Sequence, residues 1–585
     1  MGLHFIFGAA GTGKTRRCCE EIRDYVTGKK GRSAFFLVPD QETYTAERML
    51  ADIFPGHGFI DATVCGFSRL AYRVFNELRS PVQDALSPLG QQIIISRILA
   101  EHRDELQMLM KISSQPHFAE NLMNLFHQLD MFCISETALH DVSLAEEGTP
   151  LGRKLADLSL LYKNYHDYLH TRFSYEGSLF DLLAGEIPKS EILRRSRIWI
   201  DGFNGMTPQK IRIVSALIHT AEEVTFTLPL PDAKEGLSNE IFARPANLYA
   251  LLSEEEPHFD SITLPEMKRF RCPRLRCLAA DYFQNVPSPC PLPKETSPVP
   301  EKGIHIVSAP DSQAEADFIS RRILSLVRDK NLRWRDILVL LRSADTYTDP
   351  LERSFSRYGI PVFTDEKQPM NNHPLVMLLD GLLHFIKAES RGKNRGFTRE
   401  HIFRILKTEI FPSFPTDMID KLENYVLKYH IRFSTWQKPW AFRDYRSIDQ
   451  EPAPLSDKEI TKQNTANTWR EKVLSLLNPF LAGWKGSPAA EDKCAFLYRW
   501  LTEQQIPETL SVWDELEFEK TKKRPHLQVW KKVLSLLDEI VHVTGKDILP
   551  EEELCGILAD GLSALTFSMI PPTLDHVTVT SIDRG

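Results

Sequence analysis

Along the first eighty residues the apolar positions switch between two patterns. "LHFIF" (3–7) and "SAFFLVP" (33–39) are short, nearly continuous apolar runs, as expected of strands buried on both faces. "TRRCCEEIRDYV" (15–26) and "TYTAERMLADIF" (43–54) instead space their apolar residues for helices. Strand and helix in alternation predict a parallel α/β sheet. From about 88 to 185 the pattern is helical, as in "QQIIISRILAEH" and "FAENLMNLFHQLDMF", and reads as an insertion between strands. Strand signals return at "RIWID" (197–201) and "EVTFTLPL" (223–230).

The stretch "NVPSPCPLPKETSPVPEKG" (285–303) holds six prolines and reads as an extended, semi-rigid linker. A second alternation follows: "GIHIVSAP" (303–310) as a strand, a helix from about Ser312, then "DILVLLRS" (336–343) as a strand. Residues 375–570 read as helical and rich in aromatics. "HVTVTSIDRG" (576–585) begins as a buried-type strand with nothing after it to cover it, so the expectation is that a C-terminal part is missing. The divisions expected are 1–285, with an insertion at about 88–185; a linker at 286–303; 304–374; a helical insertion at 375–570; and a return strand at 571–585.

Composition narrows the function classes. The net charge of -8 and pI near 6.2 exclude a generally basic coat for nucleic acid, so any such contact needs a local channel. The nine cysteines form no CxxC pair, which suggests neither a zinc ribbon nor a disulfide framework. A reduced, cytoplasmic setting is expected, with no signal-peptide pattern and no apolar run of membrane-spanning length.

"GAAGTGKT" matches G-x-x-x-x-G-K-[ST] at Gly8, Gly13, Lys14 and Thr15. Glycines let the backbone curl so that its N–H groups point at phosphate oxygens, and the following helix adds its positive end. The expected nucleotide cradle is Gly8, Ala9, Ala10, Gly11, Thr12, Gly13, Lys14 and Thr15. Lys14 would reach the β/γ-phosphates and Thr15 would offer a hydroxyl to Mg²⁺. P-loop enzymes hold that Mg²⁺ with an acid at the end of another buried strand, and Asp201 closes "RIWID". Motor ATPases often follow it with a glutamate that positions the attacking water. Here Gly202 follows, so ATP binding with slow hydrolysis is expected, no catalytic residue is assigned, and a carboxylate from elsewhere stays an alternative. "EVTFTLPL" carries no Gln or Arg at its end to couple nucleotide to DNA.

In order, the P-loop, "LVPDQETYTAER", "GFSRLAYRV", "IDGFNGMTPQ", the proline linker and "ILVLLRSADTYTDPLERSFSRYGIPVFTDEKQPMNNHPL" resemble the AddB family. Its members are B subunits of AddAB helicase–nucleases that process double-strand DNA breaks. The specific parts are "IDGF…TP" and the set Asp365, Lys367, Met370, His373 and Pro374. The resemblance implies two RecA-like P-loop domains of superfamily 1 helicase type, each with a large helical insertion. It implies an AddA-like partner subunit, double-stranded DNA ends and single-stranded DNA as substrates, and no membrane.

By the same resemblance Arg342 would touch the γ-phosphate, and a poor motor would scan a single strand for a hotspot sequence. The strand contacts would be Gln41, Thr43, Phe67, Arg69, Tyr72 and Phe203, through stacking and edge or phosphate contacts; Phe67 and Tyr72 are equally spaced as core residues. "SIDRG" matches the start of a late helicase motif. The family's Mg²⁺ nuclease and its cysteine-held iron–sulfur cluster have no counterpart in these residues and are expected only in the missing C-terminal region of the parent. Two other readings stay open: an autonomous superfamily 1 helicase, and a P-loop small-molecule kinase with an interaction scaffold. "SRGKNRGFTREH" (390–401) and "EKTKKRPHLQVWKK" (519–532) are basic stretches suited to phosphates or to solvent.

Overall fold

The computed structural model describes residues 2–28, 33–54, 58–80, 86–113, 115, 118–172, 176–231, 240–270, 272–281, 303–364, 368–392, 394–442, 456–521, 524–567 and 575–582. It is a mixed α/β fold, mostly helical, that divides into two compact units. The first holds residues 1–86, 102–112 and 120–306; the second holds 87–101, 113–119 and 307–585. The proline linker (apart from Gly303), Asp365, Lys367 and the end of "SIDRG" lie outside the described residues.

The first unit is built on a six-stranded parallel sheet. Its strands are β1 (Leu3–Phe7), β2 (Ser33–Leu37), β3 (Ala62–Cys65), β4 (Ser196–Ile200), β5 (Glu223–Leu228) and β6 (Phe259–Thr263), in the order β3-β2-β4-β5-β1-β6. Alternate residues feed two cores, one on each face. Phe5, Phe7, Phe35, Ile198, Ile200 and Phe226 pack on one side. Ile6, Phe36, Val64 and Trp199 pack on the other, with Cys18 and Ile22 of helix Lys14–Gly28. Helical spacing over 88–185 gives Pro88–Glu101, Phe118–Met131, Glu136–Ala145, Pro150–Arg172 and Glu176–Glu186. The first of these falls in the second unit, where Ser87 N–H donates to Glu539 Oε1 at 3.1 Å and Arg97 pairs with Asp547.

The second unit carries a three-stranded parallel sheet in the order β7-β11-β8, from β7 (Leu338–Leu341), β8 (Val362–Thr364) and β11 (Val577–Ser581). A short antiparallel pair, β9 (Gln368–Pro369) and β10 (Thr566–Phe567), lies between them in sequence. One expectation changes here. "GIHIVSAP" forms no strand; Ile306 is 95 % exposed. β11 is the central strand of its sheet, and Val577 and Val579 are buried in the core beside it.

The rest of the unit is helical, from Pro374–Ser390 to Glu551–Ser563, around buried Trp436, Trp440, Phe480 and Trp484. Seven described cysteines are free thiols, while Cys277 is disulfide-bonded, which the scattered spacing did not anticipate. Among the described residues no helix is long and apolar enough to cross a membrane.

Candidate functional site

Because every neighbouring pair in the first sheet is parallel, all six carboxyl ends open on one edge, where α/β sheets bind ligands. Gly8 follows β1 there, Asp40 follows β2, Gly66 follows β3 and Asp201 follows β4. The phosphate loop runs from β1 to the helix that starts at Lys14. Gly11 (φ +91°) and Gly13 (φ +94°) take left-handed conformations that turn the loop. Thr12 bonds back to the Ala9 carbonyl through its N–H (3.3 Å) and hydroxyl (3.0 Å).

The Lys14 ammonium lies inside this loop, donating to the carbonyls of Gly8 (2.7 Å) and Ala9 (3.1 Å). Its pKa is held below the ordinary lysine range. Burial is the main cause; Arg269 pushes the same way and Asp201 pulls against it. Thr15 is half-buried on the first turn of the helix.

Asp201 is only 3 % exposed, and its N–H is fixed by the Leu37 carbonyl at 3.0 Å. Its carboxylate accepts a hydrogen bond from the Thr227 hydroxyl of β5. Thr227, absent from the sequence reading, is thus an orienting partner for the predicted Mg²⁺ ligand. Glu42 is a second residue that reading missed. Gly202 has φ +84°, and a β-carbon there would lie 2.8 Å from Glu42 Oε2. The space beside Asp201 that a side chain at 202 would enter therefore already holds a carboxylate from a different strand end. Burial first, and Asp201 second, raise the Glu42 pKa.

After β6 the chain folds over the phosphate loop. Leu264 N–H donates to the Phe7 carbonyl (2.8 Å), and the N–H groups of Lys268 and Arg269 both donate to the Gly11 carbonyl (2.9 and 3.0 Å). A β-carbon on Gly11 would meet Arg269 Cβ at 3.1 Å and Met267 Sδ at 3.2 Å. Three basic groups thus lie close to the cradle: Lys268 and Arg269 of the cover, and Lys14 beneath it.

The residues expected to touch a single strand occupy the same unit. Gln41 is exposed in the turn Asp40–Glu42, and Thr43 opens helix Thr43–Ile53, its hydroxyl bonding to the Asp40 carbonyl at 2.9 Å. Arg69 is exposed on helix Phe67–Leu78 and reaches Glu47 at 3.7 Å. Tyr72, on the same helix, is 44 % exposed. Phe67 is a core residue at 3 % exposure, its ring 5.5 Å from that of half-buried Phe203 and 5.8 Å from Lys210 Nζ. Of Phe67 and Tyr72, only Tyr72 offers an open face.

Arg342 belongs to the second unit. It is exposed at the carboxyl end of β7, with no ion pair among the described residues. Met370 and His373 serve the helical part: Met370 is buried, and His373 Nδ1 accepts the Leu375 N–H at 3.2 Å, capping helix Pro374–Ser390.

Mg²⁺ fits the first unit's residues: a buried carboxylate oriented by Thr227, the Thr15 hydroxyl on the adjoining helix, and Glu42 alongside. Among the described residues no three cysteines, histidines or carboxylates gather as ligands for a metal.

Residues 5–278 match the family model described as "ADDB, N-terminal". The whole chain is 33 % identical over 609 residues to the B subunit of the ATP-dependent helicase/deoxyribonuclease of Heliobacterium modesticaldum, covering 48 % of it. It is 33 % identical over 604 residues to the like-named protein of Pelotomaculum thermopropionicum, covering 51 %. It is 32 % identical over 618 residues to that of Geobacillus kaustophilus, again covering 51 %. In each case all of this chain is matched, so it spans about half the length of the curated relatives. The chain thus carries a region like the AddB N-terminal domain at residues 5–278 and is similar, along its whole length, to about half of each of these B subunits.

Proposed function

We propose that the chain acts as part of the B subunit of a heterodimeric ATP-dependent helicase/exonuclease, which processes double-strand DNA breaks for homologous recombination beside an AddA-like partner. On this reading it binds ATP–Mg²⁺ and single-stranded DNA, turns ATP over weakly, and scans the strand for a hotspot sequence. The two α/β units are then the RecA-like halves of a superfamily 1 helicase scaffold, with the helical stretches as insertions. The observation that carries the reading is the grouping of Lys14, Thr15 and Asp201 at one sheet edge, with Gly202 in a left-handed backbone conformation that side chains rarely adopt.

Mg²⁺ bound with the nucleotide supplies charge neutralisation at the β/γ-phosphates. Lys14 exchanges its two loop carbonyls for phosphate oxygens. Asp201, fixed by Thr227, holds the metal without reorienting. Arg342 contributes a planar guanidinium to the γ-phosphate. Gln41, Thr43, Arg69, Tyr72 and Phe203 contact the strand.

One observation favours a second reading, an autonomous helicase with strong turnover: Glu42 stands where the absent glutamate would act. Turnover by the purified chain, with and without single-stranded DNA, separates the two. Binding of a labelled ATP analogue with little turnover supports the first, and strong stimulation by DNA supports the second. Phosphorylation of a small acceptor would instead point to a kinase. Lys14→Ala is expected to abolish analogue binding; unchanged binding would remove the nucleotide site from the proposal.

A further inference from the structure

The second unit contains a cavity of about 420 Å³ lined by Ala388, Arg391, Arg395, His401 and Phe433, within the size range of small-ligand sites. It adjoins the basic stretch 390–401, of which Lys393 lies outside the described residues. Three features distinguish it from a solvated basic surface.

The first is its charge. Among the described residues neither the Arg391 nor the Arg395 side chain has an ion pair or hydrogen bond, and Arg432, next to Phe433, has no carboxylate partner. The nearby acids are already engaged. Glu389 accepts the Gly396 N–H at 2.8 Å, Glu423 pairs with Arg399 and Lys407, and Asp380 pairs with Arg404. The cavity wall therefore carries two arginine side chains that no carboxylate pairs among the described residues.

The second is backbone strain. Phe433 has φ +54°, a left-handed conformation that a bulky side chain rarely adopts. Its N–H is tied to the Phe397 carbonyl at 2.7 Å. The strained backbone keeps the ring 38 % exposed at the cavity rather than in the core, with Arg432 5.7 Å from the ring centroid.

The third is the preformed rim. Gly392 (φ +77°) and Asn394 (φ +55°) shape the loop that carries both arginines. Gly396 is anchored to Glu389, Phe397 N–H bonds to the Asn394 carbonyl, and His401 Nδ1 is held by Thr398 Oγ1 at 2.9 Å.

We propose that this cavity is a nucleotide-unit site, taking a phosphate on Arg391 and Arg395 and a base ring on Phe433. Phosphate accepts planar guanidinium donors in pairs, and any base presents a face to an aromatic ring. The source of that unit is either a nucleic-acid strand or a free nucleotide. The site belongs to the second unit, whereas the phosphate loop and the strand contacts proposed for residues 41–72 and 203 belong to the first.

The test is photo-crosslinking of the full chain with a short oligothymidylate carrying 4-thiothymidine, followed by peptide mapping, with and without excess AMP. An adduct in the peptide containing Phe433 is expected. If AMP leaves it in place the source is a strand; if AMP removes it the source is a free nucleotide. No adduct in that peptide overturns the proposal, whatever is labelled in residues 41–72, which reports the other site.

Phe433→Gly should cut that adduct about tenfold, as loss of one stacked base does. Its thermal midpoint should hold or rise, because glycine accepts the left-handed backbone. Arg391→Ala with Arg395→Ala should lower the salt dependence of oligothymidylate binding by about 0.7 in log–log slope for each phosphate no longer neutralised. Parental adduct yield in Phe433→Gly, or a parental slope in the double variant, would equally overturn it.

Discussion

Glu42 and Gly202 are interlocked: a β-carbon on Gly202 would lie 2.8 Å from Glu42 Oε2 and 3.0 Å from Pro39 Cδ, on a backbone with φ +84°. Putting back the glutamate that motor ATPases carry at this position should therefore fail. Gly202→Glu forces a side chain into a left-handed conformation and against the Glu42 carboxylate. A loss of about 1–3 kcal/mol in stability is expected from the strain alone, with no gain in turnover. Denaturant midpoints and ATP turnover measured together would check this. A stable variant with faster DNA-stimulated hydrolysis would show that position 202 is free to accept the base.

Glu42 itself is the sharper probe. Glu42→Gln keeps the size and removes the charge. If Glu42 positions water, the residual turnover should fall by about 10²-fold, the low end for loss of a general base, while binding of a labelled ATP analogue stays within about twofold, a few tenths of a kcal/mol. Equal turnover in parent and variant would leave Glu42 as a packing partner of Gly202 and nothing more.

The Thr227 hydroxyl orients Asp201 from the adjacent strand. Thr227→Val is isosteric but cannot donate, and it leaves a buried carboxylate short of one hydrogen bond, which costs about 1–3 kcal/mol. That should appear as about a 5- to 100-fold weaker Mg²⁺ dependence of analogue binding, restored in Thr227→Ser. A magnesium titration at fixed analogue would read it. If valine matches the parent, Thr227 contributes to folding rather than to the metal.

These residues also show what a linear reading can reach. The phosphate loop, β1, β2, β4 and β5 were legible because strands buried on both faces are continuous apolar runs, and glycine spacing in the loop is dictated by backbone geometry. Asp201 was legible as the polar residue that ends such a run. Thr227 was not, because its role comes from parallel register across 26 residues of sequence. Glu42 was hidden in the same way, behind the close approach of two strand ends.

Strand β6, "FDSIT", was missed because it is an edge strand with four of its five residues exposed, so no apolar alternation marks it. β3 was missed because "ATVC" is only four residues long. The opposite error occurred at "GIHIVSAP", where apolar residues suggested a strand that has no partner among the described residues.

The cover over the phosphate loop makes a dynamic prediction. Lys268 and Arg269 hold the Gly11 carbonyl through their amides, while Lys14 is spent on the carbonyls of Gly8 and Ala9. A triphosphate that recruits Lys14 must reorganise the loop beneath that cover. Amide exchange of residues 264–270 should therefore change on adding an ATP analogue in the parent and not in Lys14→Ala. An exchange pattern indifferent to nucleotide in the parent would mean that the cover and the cradle are uncoupled.

A pH dependence of stability should arise in the second unit from the His373–His526 pair. His373 Nδ1 accepts the Leu375 N–H, so its proton sits on Nε2 and is donated to His526 Nδ1 at 2.9 Å. Adding a second proton would remove the cap acceptor and place positive charge at the positive end of helix Pro374–Ser390. Burial is the main cause that lowers the His373 pKa to about 4; His526 adds to it and Asp514 opposes it. An unfolded histidine titrates near 6.5.

Between those values the unfolded chain binds more protons than the folded one, so stability rises with pH across that window. It is fully present above about pH 6.5 and is lost as the pH falls toward 4, by about 3 kcal/mol at most. His373→Asn should keep the cap, since asparagine accepts the same N–H, and flatten the slope between those pH values. Urea midpoints followed by tryptophan fluorescence would report it, because Trp513 packs 5.5 Å from His526. If parent and variant lose stability in parallel over that window, the proton is taken up elsewhere and His373 is not the group that senses it.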